Sequence, residues 1–389
     1  MVALVIRLWR YWRIMPRQPE MPYHIGFVIP SFGRGGLEMR LTDVVRELDR
    51  SRWNPHIYSI HPRNELADKI EPERLHIPFS AGKYDILTPV KLAKAFRQNK
   101  ATIIWTMTQG ITAGWGRLAA ILARAPIRVL SIHDNYPLAP LTRALNPWTD
   151  AIVVNSQYVA NRIEHQGVPA QKLVVHYNGL DTNLYAPGAD RRAELFDISP
   201  ERPVILNVGR LYPMKGRDIM LKAAVPLMER DNPPLIVFAG DGLQHQWLPK
   251  LADELGIGQH VRFLGNRDDV PELLRASDVV VMSSRDAPFG ESCPNIVIEG
   301  MATAKPVVGS NVGGTAELIR DGETGFLIPP SDPSALAKKL SLLLDDSELR
   351  QKFGIAGRQV VEQRFSLAQM VSDREALFER LLNQKGLLV

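Results

Sequence analysis

Short apolar runs rich in β-branched residues alternate with amphipathic stretches along most of the chain. Residues 24–30 (HIGFVIP) are predicted to form a buried strand, and after a glycine turn the apolar spacing predicts a helix from about Leu37 to Leu48. Strands that alternate with helices predict parallel sheets with crossover helices, which is a doubly wound α/β architecture. Further strand candidates occupy residues 102–106, 127–132, 151–155, 173–177, 204–209, 235–240, 261–265, 278–284 and 306–310.

The polar, proline-bearing segment from Asp181 to Pro203 is the best candidate for a domain boundary. It predicts two doubly wound domains of similar size, over residues 22–185 and 200–360, and the amphipathic residues 366–384 predict one long closing helix. Ligands of open parallel sheets bind at the carboxyl ends of the strands, so two facing sheets predict a binding cleft between the domains.

Composition agrees with a folded, multidomain protein. The chain has 389 residues, 45% of them hydrophobic and 23% charged, which is close to the globular average. The single cysteine, Cys293, excludes an intramolecular disulfide framework and fits a reducing compartment. No apolar run approaches the roughly 20 residues that cross a bilayer. We therefore expect a cytoplasmic protein, soluble or peripheral to the inner face of the membrane.

The excess positive charge is concentrated at the amino terminus. Of the net charge of +5, the first twenty residues carry +3, which leaves too little elsewhere for the broad basic face that binds nucleic acid. On a helix, the four arginines of residues 1–21 fall within about a third of the circumference, beside Trp and Leu. This extension suits contact with an anionic membrane through residues 1–20. A flexible extension, or a start codon assigned too far upstream, explains it equally well.

Two glycine-bearing loops follow predicted strands. The first, FGRGGLE at 32–38, includes Gly35 and Gly36, which allow close approach of a ligand to the backbone; a glycine turn without a ligand fits as well. The second runs from Gly209 to Gly216 and carries Arg210 and Lys215, two cations that can clamp a diphosphate. The alternative for this loop is an ordinary solvated surface. Neither loop is a P-loop or a G-x-G-x-x-G fingerprint.

Residues 289–310 carry the most specific pattern. Pro294 is well placed in the first turn of a helix, so Glu291 lies on the preceding loop and Glu299 lies within the helix. The two carboxylates can address different hydroxyls of one polyol ligand. Backbone amides near Cys293, Asn295 and Ile296 lie at the positive end of the helix, where phosphate binds favourably. For Cys293 itself, a small buried filler is the better interpretation.

Together these segments resemble the retaining glycosyltransferases of family 4, whose GT-B fold has two Rossmann-like domains facing across a cleft. The resemblance rests on the E-x7-E pair Glu291 and Glu299, the G-R-x4-K-G loop, and VGGTAELIRDGETGFLIPP at 312–330. GRGGLE, SIHD at 131–134 and HYNGLDTNLYAP at 176–187 fit the same family. It covers nearly everything from residue 22 onward.

The resemblance implies that the amino-terminal domain binds an acceptor and the carboxy-terminal domain a nucleoside-diphosphate sugar. Glu299 then holds the ribose hydroxyls and Glu291 the hydroxyls of the donor sugar. His133 matches an active-site histidine, and Asp134 is a candidate on the acceptor side. The implied catalytic residues are His133, Glu291, Arg210 and Lys215, and the implied donor-binding residues are Gly35, Gly36, Gly209, Arg210, Lys215, Glu291, Ser292, Cys293, Pro294, Asn295, Ile296 and Glu299.

The family further implies transfer of a hexosyl unit to a hydroxyl acceptor with retention of configuration. We expect the acceptor to be a glycan or a lipid-linked molecule of bacterial surface polysaccharide or glycolipid synthesis. Ser292 and Cys293 depart from the Gly and Phe or Leu that many relatives place after the first glutamate, which puts hexose selectivity in question. No D-x-D triplet or paired-histidine spacing occurs, so neither a metal nor another cofactor is expected.

Three other functions remain compatible with the same residues. Paired carboxylates can be the acid and nucleophile of a glycosidase, although the cationic loop favours a nucleotide-sugar donor. A sugar-nucleotide epimerase of the same architecture is disfavoured by the E-x7-E pattern. A non-catalytic nucleotide-sugar-binding protein in a membrane assembly is disfavoured because the implied catalytic side chains are intact. In isolation, His133 is more often an ordinary core or loop histidine.

Overall fold

The computed structural model describes residues 20–388, apart from residues 34, 63, 78–84, 108–109, 134–135 and 288–290. The predicted extension 1–21 therefore falls almost entirely outside the described residues, and Asp134 falls outside them too. All of the predicted strands and the closing helix lie within the described range.

Two parallel sheets form the frame of the described part of the chain. The first has the strand order β3-β2-β1-β4-β5-β6-β7 and the second β10-β9-β8-β11-β12-β13. The strands are β1 (Tyr23–Ile29), β2 (Trp53–Ser59), β3 (Leu75–His76), β4 (Ile103–Met107), β5 (Ile127–Ile132), β6 (Ala151–Val154), β7 (Leu173–Val175), β8 (Val204–Val208), β9 (Leu235–Ala239), β10 (Val261–Phe263), β11 (Val279–Met282), β12 (Val307–Ser310) and β13 (Gly325–Ile328).

Helices connect the strands and cover both faces of each sheet, which confirms the predicted doubly wound α/β, GT-B fold. The helices are α1 (Gly36–Glu47), α2 (Thr88–Gln98), α3 (Ile111–Ala123), α4 (Pro140–Leu145), α5 (Gln157–Glu164), α6 (Arg192–Phe196), α7 (Arg217–Ala224), α8 (Trp247–Glu254), α9 (Val270–Arg275), α10 (Asn295–Ala302), α11 (Thr315–Leu318), α12 (Pro333–Asp345), α13 (Ser347–Arg364) and α14 (Leu367–Gln384).

The sequence pattern missed three strands, β2, β3 and β13. In β2 the apolar run is interrupted by Asn54, Pro55 and His56, because its alternate side chains join a polar cluster with His24 and His76. The segment β3 is two residues long, too short for a period to show. Strand β13 is four residues long and begins with a glycine, a residue that is depleted in strands. Every strand that the sequence predicted is present, with ends that differ by at most two residues.

The closing helix crosses back to the first sheet. After α13, which packs on the second domain, the chain passes beside its earlier crossing: the amide of Leu180 donates to Phe365 O, and the amide of Leu367 donates to Leu180 O. Helix α14 then completes the core of the first sheet, where Phe378 is buried against Trp53 and Trp105. Two neighbouring chain crossings therefore link the two sheets.

Candidate active site

The two sheets place the predicted loops at one position in each domain. In each sheet the strand order changes direction beside the first strand, between β1 and β4 in the first sheet and between β8 and β11 in the second. A crevice therefore opens at the carboxyl ends of these pairs of strands. The cationic loop 209–216 follows β8, and the segment carrying Glu291 follows β11. Because these strands are neighbours, the two segments meet.

Lys215 and Glu291 form the ion pair at the centre of this meeting point. Lys215 Nζ lies 2.5 Å from Glu291 Oε1, and Ser284 Oγ donates to the same oxygen at 2.6 Å. Burial alone would raise the pKa of Glu291, but attraction to Lys215 and hydrogen bonds from Lys215 and Ser284 outweigh it and lower that pKa. The carboxylate is therefore ionised at neutral pH, and two predicted site residues contact each other.

Two arginines in this region, one on the loop and one at the start of α7, differ in exposure. Arg210 is exposed, with its guanidinium 5.2 Å from the centre of the Tyr212 ring. Arg217 was not predicted from the sequence: it is buried and donates to the carbonyl oxygens of Lys215 at 3.1 Å and Val208 at 3.3 Å. Burial lowers the pKa of Arg217 to about 10, against the opposing effect of Glu291. The loop thus presents one exposed cation and is held in shape by a buried one.

Glycines shape both segments where the backbone comes closest. Gly216 has φ of +61°, and a Cβ there would lie 2.0 Å from the carbonyl oxygen of Ser283. Gly313, with φ of +57°, would place a Cβ 1.6 Å from the carbonyl oxygen of Glu291. Only glycine fits either position. The turn of residues 312–314 therefore supports the loop that carries Glu291, whereas Gly209 has φ of +130° in the first segment.

The segment from Ser292 to Ile296 leads into α10 as the sequence predicted. Pro294 immediately precedes the helix, and the amides of Asn295 and Ile296 lie in its first turn, where the helix supplies no backbone acceptor. Cys293 is buried in the apolar core, and burial raises the pKa of its thiol to about 12. The thiol stays protonated at neutral pH and fills space, as expected.

His133 comes from the other domain, directly after β5, and reaches the same loop. Ser292 Oγ donates to His133 O at 2.7 Å, and Asn155 Nδ2 donates to Ser292 Oγ at 3.1 Å. His133 Nε2 is buried with no hydrogen-bond partner among the described residues. Burial, reinforced by the charge of Arg374, lowers the pKa of His133 to about 4. At neutral pH the imidazole is uncharged, so it can donate or accept a hydrogen bond with a hydroxyl but does not act as a cationic acid.

Helix α1 faces α10 across the cleft. A Cβ at Gly36 would lie 3.1 Å from Asn295 Nδ2, and Arg40 Nη2 lies 3.5 Å from Glu299 Oε1. Burial raises the pKa of Glu299, and Arg40 opposes that rise. Gly35 is the residue before the first turn of α1. The structure therefore brings Gly36, Asn295 and Glu299 to one interdomain seam.

Glu317 is a second interdomain residue to which sequence reasoning gave no role. Its two carboxylate oxygens accept from the amides of Gln157 and Tyr158 at 2.7 Å each, at the start of α5 in the other domain. Tyr177 OH donates to the same carboxylate at 2.8 Å. A carboxylate at a helix amino terminus is favourable. The only signal in the sequence was its place inside the GGTAEL segment.

Among the described residues, no set of three or more His, Cys, Asp and Glu side chains is arranged to hold a metal ion. Within the same residues, no helix combines the length and the apolar character needed to cross a membrane.

Comparison with known families covers most of the chain. Residues 34–184 match the family described as Glycosyltransferase Family 4, and residues 191–360 match Glycosyl transferases group 1. The chain is 31% identical over 323 residues to the lipopolysaccharide core biosynthesis glycosyltransferase LpsE of Rhizobium meliloti, covering 79% of this chain and 91% of that protein.

Other relatives are matched over part of their length or share the fold alone. The D-inositol 3-phosphate glycosyltransferase of Corynebacterium efficiens is 32% identical over 244 residues, 59% of this chain and 56% of that protein. The chain thus spans about half the length of this curated relative. The crystal structure of Anabaena HepE in complex with UDP superposes with a TM-score of 0.79 at 23% identity, covering 91% of this chain and 99% of that one.

Proposed function

The chain belongs to the group 1 glycosyl transferases of glycosyltransferase family 4, and we propose that it moves a hexosyl unit from a nucleoside-diphosphate sugar to a hydroxyl acceptor with retention of configuration. The observation that carries this proposal is the contact between Lys215 and Glu291 at the carboxyl ends of β8 and β11, with Arg210 on the same loop as Lys215. In this assignment Lys215 and Arg210 stabilise the diphosphate as negative charge develops on it. Glu291 accepts hydrogen bonds from hydroxyls of the transferred sugar.

The proposed donor site extends along α10. The backbone N–H groups of Ser292, Cys293, Asn295 and Ile296 face the diphosphate and sugar, and Glu299 accepts from the ribose hydroxyls. His133, uncharged at neutral pH, contacts the transferred sugar from the other domain. Asp134 is the proposed acceptor-side residue. We propose that the protein uses neither a metal ion nor another cofactor, since two cationic side chains can supply the charge that a metal would otherwise provide.

Retention can be tested without knowing the acceptor, because water can replace it. The protein is incubated with UDP- and GDP-linked α-hexoses, and the anomeric proton of the released sugar is followed by NMR. We expect the α-anomer to appear first, and we expect Glu291→Gln to abolish its release while the protein stays folded. Early release of the β-anomer would contradict retention, and equal release by Glu291→Gln would contradict the site.

For the acceptor, we propose a glycan or lipid-linked molecule at the inner face of a bacterial membrane, and LpsE, named for lipopolysaccharide core biosynthesis, supports this class. The predicted basic segment 1–20 would contact the lipid. The outer face of α2 and the two residues before it offer a second contact, since Ile86, Leu87 and Val90 are exposed, as are Lys91 and Lys94. Leu92 and Phe96 of the same helix are buried in the core.

Flotation with liposomes that contain anionic lipid tests this contact. We expect the full chain to float, the chain lacking residues 1–20 to float less, and neutral liposomes to bind neither. Absence of flotation for both chains on anionic liposomes would refute membrane contact and leave the donor proposal intact.

A further inference from the structure

Helices α1 and α10 meet along one seam of the cleft, although they belong to different domains. Gly36 and Arg40 are four residues apart on α1, and Asn295 and Glu299 are four apart on α10, so each pair lies on one helix face. Gly36 approaches Asn295, and one turn further along Arg40 approaches Glu299. The seam is anchored at the chain crossing, where Asn178 Nδ2 donates to Asn295 Oδ1 at 2.8 Å.

Arg40 lies beside two carboxylates, and its side chain also hydrogen-bonds Tyr185. Nη1 lies 3.1 Å from Asp43 Oδ2 on its own helix, and Nη2 lies 3.5 Å from Glu299 Oε1 on the opposite domain. The side chains of Arg40 and Glu299 are 10% and 13% exposed. Asp43 and Tyr185 therefore hold Arg40 in place beside Glu299.

Glu299 is poorly supplied with hydrogen-bond donors for a buried carboxylate. Arg40 is its ion-pair partner, at a long 3.5 Å and to one oxygen, whereas Glu291 receives two short bonds. Burying a charge is costly unless it is paired and hydrogen-bonded. Burial raises the pKa of Glu299, and Arg40 is the group that opposes this rise. A vicinal diol can donate to both carboxylate oxygens, and its own oxygens can accept from a guanidinium.

We infer that Arg40 is a positioning residue that holds Glu299 from across the cleft, so that ribose recognition requires both domains in the closed arrangement. This inference rests on the proposed function, because it takes Glu299 as the group that binds the ribose hydroxyls. It adds a residue outside the E-x7-E and G-R-x4-K-G motifs. It also supplies a physical link between nucleotide binding and domain closure.

The test compares nucleotides with and without ribose hydroxyls. Dissociation constants of UDP, GDP and ADP and of their 2′,3′-dideoxy forms are measured by calorimetry for the wild-type chain, Arg40→Met, Arg40→Lys and Glu299→Gln. For the ribonucleotide that binds, we expect Arg40→Met to weaken affinity about tenfold, the order of one hydrogen bond to a charged group, and to leave the dideoxy form unchanged. Arg40→Lys, which keeps the charge, should recover part of the loss. Arg46→Met, an exposed arginine on the same helix, serves as the matched control and should change neither.

The other possible results of these binding measurements would overturn either the inference or the proposed function. Equal weakening of both nucleotide forms by Arg40→Met would overturn the inference in favour of a purely structural role. Tighter binding by Arg40→Met would overturn it by showing that the ion pair competes with ribose. Loss of ribose discrimination in Glu299→Gln but not in Arg40→Met would overturn it while leaving the proposed function standing. Failure of the wild-type chain to bind any of the nucleotides would instead refute the proposed function.

Discussion

At the scale of single residues, the ion pair of Lys215 and Glu291 gives the most direct test. Glu291 is 8% exposed, so Lys215→Met leaves a buried carboxylate without its cation, and we expect a loss of about 1–3 kcal/mol in the free energy of unfolding. Glu291→Gln removes the charge that needs pairing, so the double variant should recover much of this loss while all three variants remain inactive. Urea unfolding and turnover measure the two effects separately.

Additive destabilisation in the double variant would contradict the pairing of these two side chains. Sequence reasoning had assigned them separate ligands, diphosphate and sugar, and their contact could not be foreseen because it depends on how the two loops approach. Arg217 was missed for a similar reason, since nothing in the sequence distinguishes a buried arginine that binds carbonyls from an exposed one. The positions of the motifs could be predicted from the sequence, because the glycines and the start of the helix directly follow predicted strands.

At the scale of elements, Glu317 ties α11 of one domain to the start of α5 in the other. Glu317→Ala removes three hydrogen bonds to Gln157, Tyr158 and Tyr177, and caps of this kind contribute about 0.5–2 kcal/mol. We expect faster amide exchange over the first turn of α5 and an expanded radius of gyration in solution scattering. Glu323→Ala, an exposed glutamate on the nearby turn, is the control.

Unchanged amide exchange over the first turn of α5 in Glu317→Ala would contradict the stabilising contact of Glu317 with that helix. This interdomain contact could not be predicted from the sequence, because hydrophobic periodicity predicts helices and strands but not the side-chain contacts between them. The strands that were predicted have largely apolar runs, and β2 was missed because polar residues occupy its alternate positions.

At the scale of the whole molecule, one buried and two half-buried histidines make stability depend on pH. Burial lowers the pKa of His56 and His133 to about 4 and of His176 to about 3, whereas the unfolded chain titrates at 6.5. Because the unfolded state takes up these protons first, stability is lost as pH falls from 6.5 towards 4. Each histidine contributes about 1.4 kcal/mol per pH unit in that window.

The free energy of unfolding at pH 7, 6 and 5 measures this slope, and His176→Gln should reduce it by about one proton. A slope that is the same in His176→Gln would contradict the burial of that imidazole. A sequence shows where the histidines are but not how deeply they are buried, so the pH dependence of the free energy of unfolding could be derived only from the structure.

The central claim is that the segments after β8 and β11 form a nucleotide-sugar site. The most direct measurement is the shift in melting temperature of the wild-type chain and Lys215→Met with UDP, GDP, ADP and their hexose conjugates, without added metal. A ligand that binds the folded state raises its melting temperature. We predict a clear rise with one nucleotide class for the wild-type chain and little or none for Lys215→Met. An equal rise in both proteins, or none with any nucleotide, would contradict the account.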